Sequence, residues 1–90
     1  MQFNITIKYD LKAIRLVVEK IAGTKTIEKY KVKASNQSFV LQNNRPMIIG
    51  KGLKYFPVTW KVVEGGYHQP FILEQITKAI EAKLKSNDNY

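Results

Sequence analysis

Cysteine is absent from the ninety residues, which removes disulfides, thiolate metal sites and thiol nucleophiles together. Histidine occurs once, as His68, so a paired-histidine metal site within one chain is excluded; a loop histidine after Gly65-Gly66-Tyr67 is the simpler reading. Acidic residues number only seven. Glu74, Glu81 and Asp88 are expected to face solvent or lie in the tail, and Glu19, Glu28 and Glu64 to be spread over strands. General acid–base catalysis needs carboxylates that converge in a pocket, so an enzyme is not expected, nor is a cofactor. No apolar run reaches the roughly 18–20 residues that span a bilayer. The opening Met1-Gln2-Phe3-Asn4-Ile5-Thr6-Ile7 lacks the basic region and apolar stretch of a signal peptide, and a cytoplasmic protein without a membrane partner is expected.

What remains is an apolar fraction of 44% and an aromatic fraction of 11%, enough for a globular core made of Phe, Tyr, Ile, Leu and Val. Residues 2–9 alternate: Phe3, Ile5, Ile7 and Tyr9 point one way, Gln2, Asn4, Thr6 and Lys8 the other. That is a half-buried strand. Residues 11–22 fit two periods. Leu11, Ile14, Val17/Val18 and Ile21 have helical spacing, with Asp10 as a cap and Gly23 beyond the end. Ile14, Leu16 and Val18 also alternate, four of the twelve residues are β-branched, and a hairpin turning at Asp10-Leu11-Lys12 needs little chain. The turn lacks Asn-Gly or Asp-Gly. Strand is favoured, with helix as the alternative.

Residues 26–33 place Glu28, Tyr30 and Val32 on one face and Ile27, Lys29, Lys31 and Lys33 on the other. Ser35-Asn36-Gln37 turns the chain into Ser38–Asn43, with Phe39 and Leu41 inward, and the two strands form a hairpin. Pro46 ends that run, because proline cannot donate to a central ladder. Residues 44–57, with Gly50, Gly52 and Pro57, are expected to be a long irregular stretch with a short apolar patch at Met47-Ile48-Ile49. Val58–Val63 is a further strand, with Trp60 in the core and Gly65-Gly66 breaking it. Pro70 opens a helix. Its stripe is Leu73, Ile76, Ile80 and Leu84, widened by Ile72 and Ala79, and it faces the sheet. Glu74–Lys78 and Glu81–Lys85 are i,i+4 pairs. The fold class is therefore α+β: a small antiparallel sheet of about five strands packed against one C-terminal α-helix. It forms a single domain over 1–86, with 87–90 as a frayed tail.

The net charge of +8 is concentrated in the middle of the chain. From Lys25 to Lys61 there are eight basic residues and a single acid, Glu28. Arg45, Lys51, Lys54, Tyr55 and Lys61, with Phe56 and Trp60 nearby, interleave cations with rings. That composition suits nucleic acid, where cations meet phosphates and rings stack on bases. Lys29, Lys31 and Lys33 make a second basic row. Each set also has a plain explanation as a solvated face, and lysines on an edge strand discourage sheet-to-sheet aggregation. Gly50-Lys51-Gly52-Leu53-Lys54 lacks the spacing and following helix of a phosphate-binding loop. The expectation is a small non-enzymatic binding module with a basic contact surface over 44–61. Its partner would be nucleic acid or an acidic protein. The alternative is protein interaction or self-association, as a homo-oligomer, through a strand edge.

Leu41-Gln42-Asn43-Asn44-Arg45-Pro46, Lys51-Gly52-Leu53-Lys54 and Thr59-Trp60-Lys61-Val62-Val63-Glu64-Gly65 together resemble short uncharacterised proteins of Bacteroidetes, over most of the chain. That resemblance implies an opening hairpin, and so a strand at 11–22; it implies no catalytic or binding residue. With a helix at 11–22, the order would contain the α-β-β-β-α run of the double-stranded-RNA-binding domain. The last helix opens Gln69-Pro70-Phe71-Ile72-Leu73-Glu74, however, without that domain's Gly- and Lys-rich start.

Overall fold

A computed structural model describes residues 2–34, 37–52, 58–65 and 70–88, the side chains of Tyr9 and 85–88 apart. Strands β1 (Gln2–Tyr9), β2 (Lys12–Gly23), β3 (Glu28–Lys33) and β4 (Ser38–Asn43) lead to a short helix α1 (Arg45–Gly50). Strand β5 (Trp60–Glu64) and the long helix α2 (Pro70–Asp88) follow. The strands form one antiparallel meander in the order β1-β2-β3-β4-β5. The expected α+β class, a five-stranded antiparallel sheet with a C-terminal helix, is what the chain adopts.

Of residues 11–22, all but Leu11 resolve as strand. Phe3, Ile5 and Ile7 stand opposite Val18, Leu16 and Ile14, so the two alternating patterns bury one common face. Asp10 and Leu11 form the two-residue turn, with φ of 51° and 64°. Left-handed φ at both central positions matches the twist of a hairpin. Asp tolerates that region; Leu11 costs about 1–2 kcal/mol there. The apolar face of the strands outweighs the poor turn residue. Thr24 then shapes the link to β3, its Oγ1 accepting the N–H groups of Thr26 and Ile27, each at 3.1 Å.

The stretch after Asn43 is not irregular throughout, as α1 occupies Arg45–Gly50. Pro46 sits in its first turn, where a missing N–H costs little. Gly52, with φ of 67°, follows the helix end, its N–H donating to the Ile49 carbonyl at 3.1 Å. Two asparagine side chains hold this corner: Asn43 Oδ1 accepts the Arg45 N–H and Asn44 Oδ1 accepts the Thr59 N–H, both at 2.8 Å. Strand β5 begins two residues later than expected, at Trp60. It ends at Gly65, where φ is 83° and a Cβ would lie 2.9 Å from the Phe39 backbone, so only glycine fits.

The core is the inward face of β1–β4 (Ile5, Ile7, Leu16, Val18, Tyr30, Val32, Phe39, Leu41) closed by Ile72, Ile76, Ile80 and Leu84 of α2. The helix stripe is the i,i+4 series from Ile72; Leu73 and Ala79 flank it, half-buried. Fully burying each of these side chains contributes about 1.5–3 kcal/mol. Both sheet edges reach α2. The Lys8 N–H of β1 donates to Gln75 Oε1 at 3.3 Å, and the Trp60 indole of β5 donates to Glu81 Oε1 at 2.7 Å. The sheet therefore curls around the helix. Among the described residues no helix is long and apolar enough to cross a membrane.

Candidate functional site

The strand registers sort the basic residues onto two sides of the sheet. On the outer face, turned away from α2, β3 carries Lys29, Lys31 and Lys33. Its neighbours there are Gln42, Val40 and Ser38 of β4, and Ala22, Glu19 and Val17 of β2. Lys61 of β5 pairs with Gln42 and joins the same face, in line with Lys29. Arg15 and Lys8 extend it toward β1. Glu19, opposite Lys31, and Glu64, opposite Val40, are the acids on this surface. Lys33 and Lys61 are exposed. Lys29 and Lys31 are half-covered, as when a lysine lays its methylenes on the sheet and lifts its ammonium into water. Alternate residues along a strand stand about 6.7 Å apart and neighbouring strands about 4.8 Å, which sets the spacing of the ammonium roots. No ion pair joins these lysines to an acid among the described residues. Because β3 is the central strand, protection of a sheet edge does not account for its lysine row.

Arg45 goes elsewhere. Its Nη1 lies 3.3 Å from Glu28 Oε2, and Lys20 Nζ lies 3.2 Å from the same oxygen. Glu28 is on the inward face of β3, opposite Asn43, and only 4% exposed. The Arg45 side chain is 15% exposed. A buried carboxylate costs several kcal/mol unless cations and hydrogen bonds compensate it, so Arg45 is bound into the structure rather than offered to a ligand. Tyr30, next but one along β3, is fully buried. Burial, and after it the neighbouring Glu28 carboxylate, push its hydroxyl pKa up, against a weaker opposing pull from Arg45. The ring stands 6.1 Å from Trp60 and 6.5 Å from Phe3, edge-on to the latter. Glu28 Oε1, the Tyr30 hydroxyl and Asn43 Nδ2 are buried without a hydrogen-bond partner among the described residues.

Lys51 lies just past α1, exposed and apart from the β3 row. Lys54 and Tyr55, with Phe56 and His68, lie outside the described residues. The sequence therefore grouped residues that the fold separates. Lys29, Lys31, Lys33 and Lys61 share a face; Arg45 and Lys51 do not belong to it. Arg15 and Lys8 complete that face and were missed. Their parity with Thr6 and Ala13 was available in the alternation of β1 and β2, once residues 11–22 were taken as strand.

Glu81, expected in solvent, is half-buried and accepts the Trp60 indole, whereas Glu74 pairs with Lys78 at 2.9 Å as its spacing predicts. Lys85, the other i,i+4 partner, has its side chain outside the described set. A shallow groove of about 250 Å³ runs between β5 and the first half of α2 over Trp60, Val62 and Leu73. No group of three or more His, Asp or Glu able to hold a metal occurs among the described residues. No family model, curated protein or solved structure matches the chain, so the reading of this surface rests on the chain's own residues.

Proposed function

We propose that this chain is a small non-enzymatic, cytoplasmic binding module that meets nucleic acid through the outer face of its sheet. The observation that carries the reading is the row Lys29, Lys31 and Lys33 on the central strand, continued by Lys61 on β5, which no ion pair among the described residues ties to an acid. Cations held at fixed spacing on a rigid sheet suit a repeating line of phosphates. Of the described aromatic rings, Phe3, Tyr30, Phe39 and Trp60 belong to the inward face and Phe71 is exposed on α2, on the opposite side of the sheet, so this surface has no described ring on which a base could stack. Recognition is then of the backbone and independent of sequence.

Four phosphate contacts on a single strand give a log–log salt slope of roughly −3. Titration of labelled random oligonucleotides tests this. Replacing Lys29, Lys31 and Lys33 together by Ala should lower the slope by about 2. Absence of binding at low salt would sink the nucleic-acid reading and leave an acidic protein as the partner to seek.

A further inference from the structure

The two sheet edges are protected unequally. Strand β5 has the usual defences against pairing with another chain: five residues, a register shift against β4, and charges at Lys61 and Glu64. Strand β1 runs for eight residues in unbroken register with β2 and contains no proline. Its outward-facing side chains Gln2, Asn4 and Thr6 are uncharged and exposed, and charge appears only at Lys8. The direction of its free backbone groups follows from the hairpin. Tyr9 and Lys12 close the two-residue turn as a hydrogen-bonded pair, and such pairs alternate with open ones along an antiparallel ladder. Gln2, Asn4, Thr6 and Lys8 therefore turn their N–H and C=O groups to the edge. The Lys8 N–H donates to Gln75 there, away from β2. Among the described residues no other hydrogen bond reaches this edge.

We infer that β1 is a self-association edge, pairing antiparallel with β1 of a second copy across a two-fold axis at Asn4. In this register Asn4 faces Asn4 of the second copy and Gln2 faces Thr6. Each of these pairs exchanges two backbone hydrogen bonds. It uses every free group up to Thr6 and leaves the Lys8–Gln75 bond in place. A shift bringing Lys8 into the ladder would instead compete for the Lys8 N–H that Gln75 already accepts. The axis stands perpendicular to the sheet. The two sheets thus become one of ten strands, with both lysine rows on one side and both α2 helices on the other. The inference stands apart from the nucleic-acid reading, and its salt dependence has the opposite sign. Two chains of charge +8 repel, so screening strengthens the pair while it weakens phosphate contacts.

The chain has no cysteine, so single introduced thiols report the register directly. Hydrogen-bonded partners have Cα atoms about 5.5 Å apart, inside the disulfide range of about 4.4–6.8 Å. Asn4→Cys should therefore oxidise rapidly to a covalent dimer. Thr6→Cys should not, because the two copies of position 6 lie about four residues, roughly 13 Å, apart along the strands. Sedimentation of the unmodified chain should show dimer growing with concentration, and more of it at about 0.5 M than at 0.05 M salt. Asn4→Lys, which sets two ammonium groups face to face on an exposed position, should return it to monomer. A chain that stays monomeric throughout, or thiols at 4 and 6 that cross-link equally, would overturn the inference.

Discussion

The inward and outward faces of β3 differ in what becomes of charge. On the inward side Glu28 is enclosed and takes both Lys20 and Arg45. On the outward side Lys29, Lys31 and Lys33 project from the same six residues without an acid bound to them among the described residues. Basic residues that look alike in the chain therefore divide into those consumed in holding the sheet to α1 and those left for something outside the molecule. The fold, rather than the composition, makes the division. A single-residue change of parity on one strand decides it, because side chains alternate across a sheet.

Removing a cation from the inward cluster should have the largest effect. Arg45→Ala leaves Glu28 buried with Lys20 alone and should cost about 2–3 kcal/mol in urea unfolding, somewhat below the range for breaking a fully buried pair. An unchanged midpoint would mean that Arg45 is as available as the outward lysines, and the distinction would fail. Next comes Trp60→Phe, which keeps a ring beside Tyr30 but loses the bond to Glu81; about 1–2 kcal/mol should disappear.

Tyr30 sharpens the comparison through pH. Its folded pKa is raised, so above pH about 10 the unfolded chain loses a proton that the folded chain keeps. Stability from this group is full below the unfolded pKa and falls as pH rises through the folded one. Tyr30→Phe should flatten the alkaline part of the stability profile; an equally steep profile in the variant would assign the fall to other groups. The smallest stability effect belongs to the outward face. Lys29→Ala, Lys31→Ala and Lys33→Ala should each move stability by no more than about 0.5 kcal/mol.

Much of the fold was legible. The alternation of Phe3, Ile5 and Ile7, the hairpin of Tyr30 and Val32 with Phe39 and Leu41, and the helical series ending at Leu84 each repeat a period long enough to identify the element. Residues 11–22 satisfied both periods, and Asp10-Leu11 carried no turn signature, so pairing with β1 had to decide. Helix α1 was not legible because its six residues span less than two turns, and Pro46 and Gly50 look like loop punctuation. In the site, the β3 row could be read from parity alone. The place of Lys61 depended on the β4–β5 register, which a bulge shifts between Val40 and Leu41. Arg45 was misjudged because its partner lies seventeen residues away on another strand, where no local pattern points to it.

The most direct test compares oligonucleotide salt titrations of the native chain, the Lys29/Lys31/Lys33→Ala variant and Arg45→Ala, each under conditions where it is folded. The outer-face account predicts binding whose slope falls by about 2 in the triple variant and is unchanged in Arg45→Ala. Equal losses in both variants, or a slope that none of the substitutions moves, would contradict it.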